Sequence, residues 1–309
     1  MSPIEAAPQA THDAPENGAA FEAPALVINA AAGSTEDIRE AARAIFAARG
    51  MRLRAEYVEP DAIAAVVAEV MEKGCDLFVS FGGDGTSRHS GKTAIAHGVP
   101  FIPLPGGTMN MLPKLLYRTD SWREALESAL ESRTRWLACG SMNGEPFFCG
   151  GFIGAPTRLN RVRERLRDGD ILDAMGALRD AVEEIDLDDT LRFGPLDAPE
   201  AGEGVLVNLQ CPGMAAHAPV GTGLEMTGLG PDSALEVARL GINALLSDFR
   251  RDACAKSFVV EAGRITGPGG PEVLLDGEPV EMRYPLEVRL HRKGVRVLAP
   301  PLKAGTVRA

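Results

Sequence analysis

The residues best suited to chemistry lie in one stretch, Cys75-Asp76-Leu77-Phe78-Val79-Ser80-Phe81-Gly82-Gly83-Asp84-Gly85-Thr86, where three glycines surround a carboxylate directly after an apolar, β-leaning run. Glycines at the carboxyl end of a parallel strand let the backbone turn tightly and come close to a phosphate. A helix that follows offers free N–H groups and the positive end of its dipole to the anion. Asp84 fits such a loop only if a cation or ordered water stands between its carboxylate and the phosphate, which points to a metal-bound nucleotide. The same residues also read as a glycine-rich turn with Asp84 as a helix cap. A second glycine turn, Pro105-Gly106-Gly107-Thr108-Met109-Asn110, follows about twenty residues on, and a small-residue loop follows Asn29. Near the other end, Asp276-Gly277-Glu278 has the local signature of a type I′ hairpin turn with exposed acids.

The elements that must position these groups are legible from periodicity. Apolar runs at 25–29, 52–58, 75–81 and 100–104 read as strands, the last shortened by its prolines. Between them lie helical stripes. Ile38, Ala42, Ile45 and Phe46 follow a Ser34/Asp37 capping box, and Ile63, Val66, Val67 and Val70 follow Pro60-Asp61. A third helix spans 87–97, and further helices span 111–116 and 121–131. Four strand–helix units predict a doubly wound parallel sheet whose sites lie beyond the carboxyl ends of the strands, so that all three loops share one rim.

After residue 133 the pattern changes. Strands at 134–139 and 147–152 flank the hairpin signal Asn143-Gly144, and a polar helical stretch covers 157–185. Strands then recur at 204–210, 224–227, 234–240, 256–261, 272–275, 286–291 and 295–298, with one helix at 242–251 and an acidic loop at 196–204. This spacing predicts an antiparallel, sandwich-like second domain. The expected division is a disordered tail at 1–23, an α/β nucleotide-binding domain at 24–138 with about 296–309, and a β-rich substrate domain at 139–295.

The bulk numbers exclude several classes. A formal net charge of −11 argues against nucleic acid and against simple electrostatic docking on anionic lipid. The five cysteines are scattered without a CxxC pair, which predicts buried free thiols. The histidines (His12, His89, His97, His217, His291) show no metal-ligand spacing. No apolar run approaches the roughly 20 residues of a membrane span, and 1–23 lacks a signal peptide's basic start and apolar core. The expected compartment is the cytoplasm.

The ordered combination of Gly82-Gly83-Asp84-Gly85-Thr86, Pro105-Gly106-Gly107-Thr108-Met109-Asn110 and Asp276-Gly277-Glu278 resembles the diacylglycerol kinase catalytic-domain family. That is the bacterial lipid kinase branch, related to sphingosine and ceramide kinases and more distantly to NAD kinases. The resemblance implies transfer of the γ-phosphoryl group of ATP, with Mg²⁺, to the hydroxyl of diacylglycerol or a related lipid. It implies ATP contacts from Asn29, Gly82, Gly83, Asp84, Gly85, Thr86, Gly107 and Thr108, with Asn110 supporting the second loop. Glu278 is implied as the base that accepts the lipid hydroxyl proton, with Asp276 orienting it or acting on the same proton. Asp232-Ser233-Ala234-Leu235-Glu236-Val237 resembles a segment whose aspartate holds a structural Mg²⁺, so Asp232 is implied as a metal ligand.

The chain departs from the family pattern at Asn29-Ala30-Ala31-Ala32-Gly33-Ser34, where no lysine follows, at Glu59, and at Ser87-Arg88-His89. Arg88 has two readings there, a cation toward phosphate or a helix residue facing solvent. The expected partner is a lipid acceptor met transiently at a membrane surface, through apolar loops of the second domain. Sheet edges offer a route to a homodimer. Two other functions stand beside the lipid kinase: a soluble-substrate kinase of the NAD kinase type, and a degenerate member that binds nucleotide or lipid without turnover.

Overall fold

The structure is a computed structural model that describes residues 21–33, 38–154, 190–214, 223–230 and 255–302. Outside the described residues lie the Ser34/Asp37 capping box, the helical stretch 157–185, His217, Asp232 with the strand 234–240, and the helix 242–251. The chain forms two compact units. One comprises Met1–Cys149, Pro219–Gly221 and His291–Ala309, and the other Gly150–Ala218 and Thr222–Leu290.

In the first unit, β1 (Pro24–Asn29), β2 (Arg54–Val58), β3 (Leu77–Gly82) and β4 (Phe101–Pro105) are parallel and stand in the order β2-β1-β3-β4. β3 and β4 are buried along their whole length, which explains why their sequences run apolar instead of alternating. The helices are α1 (Ile38–Ala47), α2 (Ile63–Glu72, after a 3-10 turn at Pro60–Ala62), α3 (Asp84–His97), α4 (Met111–Tyr117) and α5 (Trp122–Leu130). The buried stripe of α1 is the one read from the sequence, Ile38, Ala42, Ile45 and Phe46; that of α2 is Ile63, Val67, Val70 and Met71, so Met71 takes the place expected for Val66, which is only half-buried. α3 begins at Asp84, three residues earlier than expected, because the extended Gly83 serves as its N-cap. Only Ser121, whose hydroxyl accepts from the Glu124 N–H at the start of α5, supplies a side-chain cap among these described helix starts.

β5 (Thr134–Met142) and β6 (Glu145–Phe147) form the hairpin anticipated at Asn143-Gly144, both of which have positive φ. The strand expected over 147–152 is instead broken at Phe148-Cys149. β6 pairs with β5 in the first unit, whereas β7 (Gly150–Gly154) belongs to the sheet of the second.

The second unit holds an antiparallel sheet in the order β12-β11-β10-β7-β14-β15. Its strands are β10 (Leu206–Gln210), β11 (Leu224–Leu229), β12 (Ala255–Val260), β14 (Val273–Leu275) and β15 (Glu278–Pro279). Three strands were not read from sequence: β8 (Leu191–Pro195), β9 (Gly202–Gly204) within the expected acidic loop, and β13 (Ala262–Thr266). Glycines disguised them. A Cβ on Gly263 would meet the Gly194 carbonyl at 2.8 Å, so these glycines mark close strand packing and not turns. Phe193 of β8 is fully buried, lies edge-on to Phe258 and fills the space left by Gly228.

The two expected strands at 286–291 and 295–298 are one strand, β16 (Leu286–Leu298). Gly294 does not turn the chain between them. A Cβ there would fall 2.9 Å from the Cys139 nitrogen and from the Leu137 carbonyl oxygen, so the glycine permits close pairing with β5. Within the second unit Leu286 to Arg289 pair with β13, and within the first unit Val297 pairs in parallel with Phe101 of β4.

Candidate active site

The parallel sheet reverses its strand order between β1 and β3, and Asn29 and Gly82 stand at the carboxyl ends of these two strands. Such a switch point is the ordinary binding crevice of an open α/β sheet. The Asn29 Nδ2 donates to Thr86 Oγ1 at 3.0 Å across the crevice, while the Asn29 Oδ1 accepts from the Ala31 N–H at 3.0 Å. The two ends of the crevice are thus joined by one amide side chain.

The two glycine turns pack on each other. The Gly106 N–H donates to the Gly82 carbonyl at 2.9 Å. A Cβ on Gly107 would lie 2.5 Å from Gly83 Cα, and one on Gly106 would lie 2.9 Å from the Gly82 nitrogen. Space at Gly82 is already taken by the Thr86 side chain, 2.6 Å from where a Cβ would be. Glycine is therefore required at 106 and 107 by the contact of one loop with the other, and at 82 by the Thr86 side chain of its own segment, reasons that sequence alone does not distinguish from approach to a phosphate.

Asp84 bridges the same two loops. Its Oδ2 accepts from the Asn110 N–H at 3.1 Å and its Oδ1 from the Met111 N–H at 2.7 Å, which caps α4 from outside its own segment. Asn110 sits in the left-handed region with φ 50°. Its Oδ1 accepts from the Gly107 N–H and its Nδ2 donates to the Gly107 carbonyl, both at 2.8 Å, closing the second loop on itself. The Asn110 Nδ2 also reaches Asp120 Oδ1 at 3.5 Å, and Lys114 Nζ meets the same oxygen at 2.9 Å. The Lys114 hydrogen bond holds the Asp120 carboxyl below the usual carboxylate range. Gly107 and Thr108 remain exposed at the rim, and Gly83, Asp84 and Gly85 are half-buried at the start of α3. The N-cap Gly83 supplies no side-chain cap to that helix start.

Arg88 takes neither of the roles read from sequence. Its Nε donates to the Pro146 carbonyl at 3.2 Å, and its guanidinium pairs with Glu145 at 3.4 Å. Lys92 joins the same carboxylate at 2.8 Å, so the two cations tie α3 to the β5–β6 hairpin. Glu145 carried no local signal of this role, because its partners lie more than fifty residues away. Beside them, burial first and then the Lys92 and Arg88 charges push the His89 imidazole below its usual 6.5. His291 shares a 2.8 Å hydrogen bond with Ser141 Oγ and so binds β16 to β5.

In the second unit Asp276 and Gly277, with φ 51° and 87°, form a two-residue turn, and Leu275 pairs with Glu278 across it. This is the type I′ hairpin anticipated locally, with one difference. Glu278 is exposed, but Asp276 is buried at 4% exposure. Its Oδ1 accepts from the Gly150 N–H at 3.0 Å, and its own N–H donates to the Gly150 carbonyl at 2.8 Å. Among the described residues no three His, Cys, Asp or Glu side chains gather in a cation-binding cluster. Asp232 lies outside the described residues.

Residues 24–142 match the family model of the diacylglycerol kinase catalytic domain. Solved structures share the fold over most of the chain. A diacylglycerol kinase from Bacillus anthracis str. Sterne superposes with a TM-score of 0.66 at 17% identity, covering 91% of this chain and 98% of its own. A candidate diacylglycerol kinase from the same organism gives 0.70 at 18% identity, with the same coverage. A search of curated proteins finds no match. At such identity the structures establish the fold alone; the matched family model covers residues 24–142, a stretch that contains both glycine loops.

Proposed function

We propose that the protein is an ATP- and Mg²⁺-dependent kinase that phosphorylates the hydroxyl of diacylglycerol or a related lipid. The observation that carries the reading is the pair of interlocked glycine loops, bridged by Asp84 and set at the switch point of the sheet. The residues suit the nucleotide, because the uncapped start of α3 and the exposed Gly107-Thr108 edge offer N–H and hydroxyl donors on one rim. They suit Mg²⁺ in the way kinases commonly hold it, mainly through substrate phosphates with one or two carboxylates. ATP with Mg²⁺ would supply the transferable phosphoryl group and neutralise its developing charge.

In this reading the chain's own groups mostly position. Asn29 and Thr86 fix the width of the crevice, and Asn110 keeps the second loop closed. Asp84 holds the loops in register with both oxygens. Glu278 takes the proton from the acceptor hydroxyl. Asp276, anchored on the Gly150 backbone, fixes the turn that presents Glu278. Phosphoryl transfer asks little more than such positioning, charge neutralisation and one base near the attacking oxygen.

The commitment of Arg88 to Glu145 favours a second reading, a member that binds nucleotide without transfer, since this cation is not offered to phosphate. Purified protein with radiolabelled ATP, Mg²⁺ and a panel of lipid micelles separates the two. Labelled lipid that disappears on chelation of Mg²⁺ supports the kinase. ATP binding without labelled lipid from any acceptor supports the second reading.

A further inference from the structure

Asp84, Arg88 and Lys92 stand four residues apart on α3 and so share one side of the helix. All three are committed to other segments of the first unit. Asp84 holds the Asn110 and Met111 N–H groups, while Arg88 and Lys92 converge on one carboxylate, Glu145, at 3.4 Å and 2.8 Å. The Arg88 side chain is only 16% exposed, and its Nε is also taken by the Pro146 carbonyl. Glu145 itself sits on a stiff support. It is the first residue after the Asn143-Gly144 turn and pairs with Met142 across the hairpin, and β5 pairs in turn with β16. α3 comes close to the end of this hairpin, because a Cβ on Gly91 would lie 2.6 Å from the Phe148 ring. The departure at Ser87-Arg88-His89 is thus matched by a carboxylate 57 residues from Arg88.

We propose, resting on the nucleotide reading of the glycine loops, that Glu145 is a positioning residue for the phosphate site. Through Arg88 and Lys92 it fixes the side of α3 whose first residue, Asp84, bridges those loops. The helix needs such a tie. Its buried residues are Thr86, Ser87, Ser90, Gly91, Ala94 and Ile95, and Ile95 is the one large apolar side chain among them, so burial alone fastens α3 weakly. Without the carboxylate, Arg88 and Lys92 would also face each other as like charges one turn apart. A purely electrostatic role for Glu145 has the opposite consequence. It is an anion near a site for phosphates, so removing its charge would by itself strengthen nucleotide binding. The two roles differ in sign, and an ordinary surface ion pair would move the affinity in neither direction.

The test is the affinity of the full chain for the Mg²⁺-bound β,γ-imido analogue of ATP, measured by isothermal titration calorimetry. Glu145→Gln should weaken binding about tenfold, the size of one lost donor to a charged group. In an Arg88→Gln/Lys92→Gln background the same substitution should change the affinity no further, because Glu145 acts through those two cations. Affinity equal to wild type in Glu145→Gln overturns the proposal, and tighter binding overturns it in favour of the electrostatic role. A full tenfold loss in the Arg88→Gln/Lys92→Gln background also overturns it. Should Glu145→Gln not fold, Glu145→Asp takes its place: it keeps the charge and shortens the reach, so weaker binding supports the clamp and unchanged binding refutes it. A wild type that binds no triphosphate overturns the proposal together with the nucleotide reading. Weakened binding in Glu145→Gln, in a protein that phosphorylates no lipid, supports the clamp and sinks the lipid-kinase reading alone.

Discussion

The paired loops of the first unit and the Asp276-Gly277 turn of the second both combine glycine with an acid, yet glycine is there for opposite reasons. Gly106 and Gly107 are crowded: a Cβ would strike the backbone of the facing loop. Gly277 has open space around it, and only its left-handed φ of 87° calls for glycine. The acids differ in the same sense. Asp84 joins two segments far apart in sequence, whereas Asp276 ties a local turn to one neighbouring strand. One region is constrained by tertiary packing and the other by backbone conformation.

The contrast can be broken most forcefully at Gly107. Gly107→Ala should destabilise the protein by about 2–3 kcal/mol, as overpacking against an unyielding backbone does, and should abolish ATP binding. A denaturant midpoint within error of wild type would mean that the loops do not interlock. Next in size is Asp84→Ala, which leaves two backbone donors without their carboxylate. Because the site is only half-buried, the expected cost is about 1–2 kcal/mol, with turnover lost. Asp84→Asn keeps one acceptor, so it should recover most of the stability and none of the turnover. Full recovery of activity in that variant would reduce Asp84 to a tether.

Gly277→Ala should cost about 1 kcal/mol and Gly277→Asn less, because asparagine tolerates the left-handed region. Equal penalties would show that space and not φ governs the position. Glu278→Gln, in the same turn, should leave the melting temperature unchanged while removing lipid phosphorylation, measured with ATP binding intact. The smallest effect concerns His89. Its folded-state pKa lies below 6.5, so below that pH the unfolded chain binds the proton more readily and stability falls as pH drops. His89→Gln should flatten the stability curve below pH 6.5; an unchanged slope there would assign the effect elsewhere.

The parallel sheet was readable because β1, β3 and β4 are buried on both faces, and the runs of β3 and β4 end in glycine and proline. The pair of glycine loops was also readable as a pair, from spacing. Their interlocking was not, because nothing local to Gly107 shows that Gly83 will lie against it. Arg88 makes the same point from the side chain, since its partner Glu145 is set by the docking of a hairpin on α3. In the second unit, β8, β9 and β13 escaped notice because glycines that admit a neighbouring strand look like turn glycines in sequence. Asp276 was read as exposed because a hairpin turn usually is; the backbone of Gly150 makes it otherwise.

The single strand β16 has a consequence for how the protein comes into being. Its early residues complete pairing in the second unit and its later ones, with the Leu298 carbonyl that receives the Tyr117 hydroxyl at 2.9 Å, complete the first. During synthesis the first unit is made almost entirely before the strand that closes it. A ribosome-bound chain ending near residue 150 therefore lacks the β16 partner of β4 and the carbonyl that receives the Tyr117 hydroxyl, and the pairing of neither unit is complete until nearly the whole polypeptide has emerged.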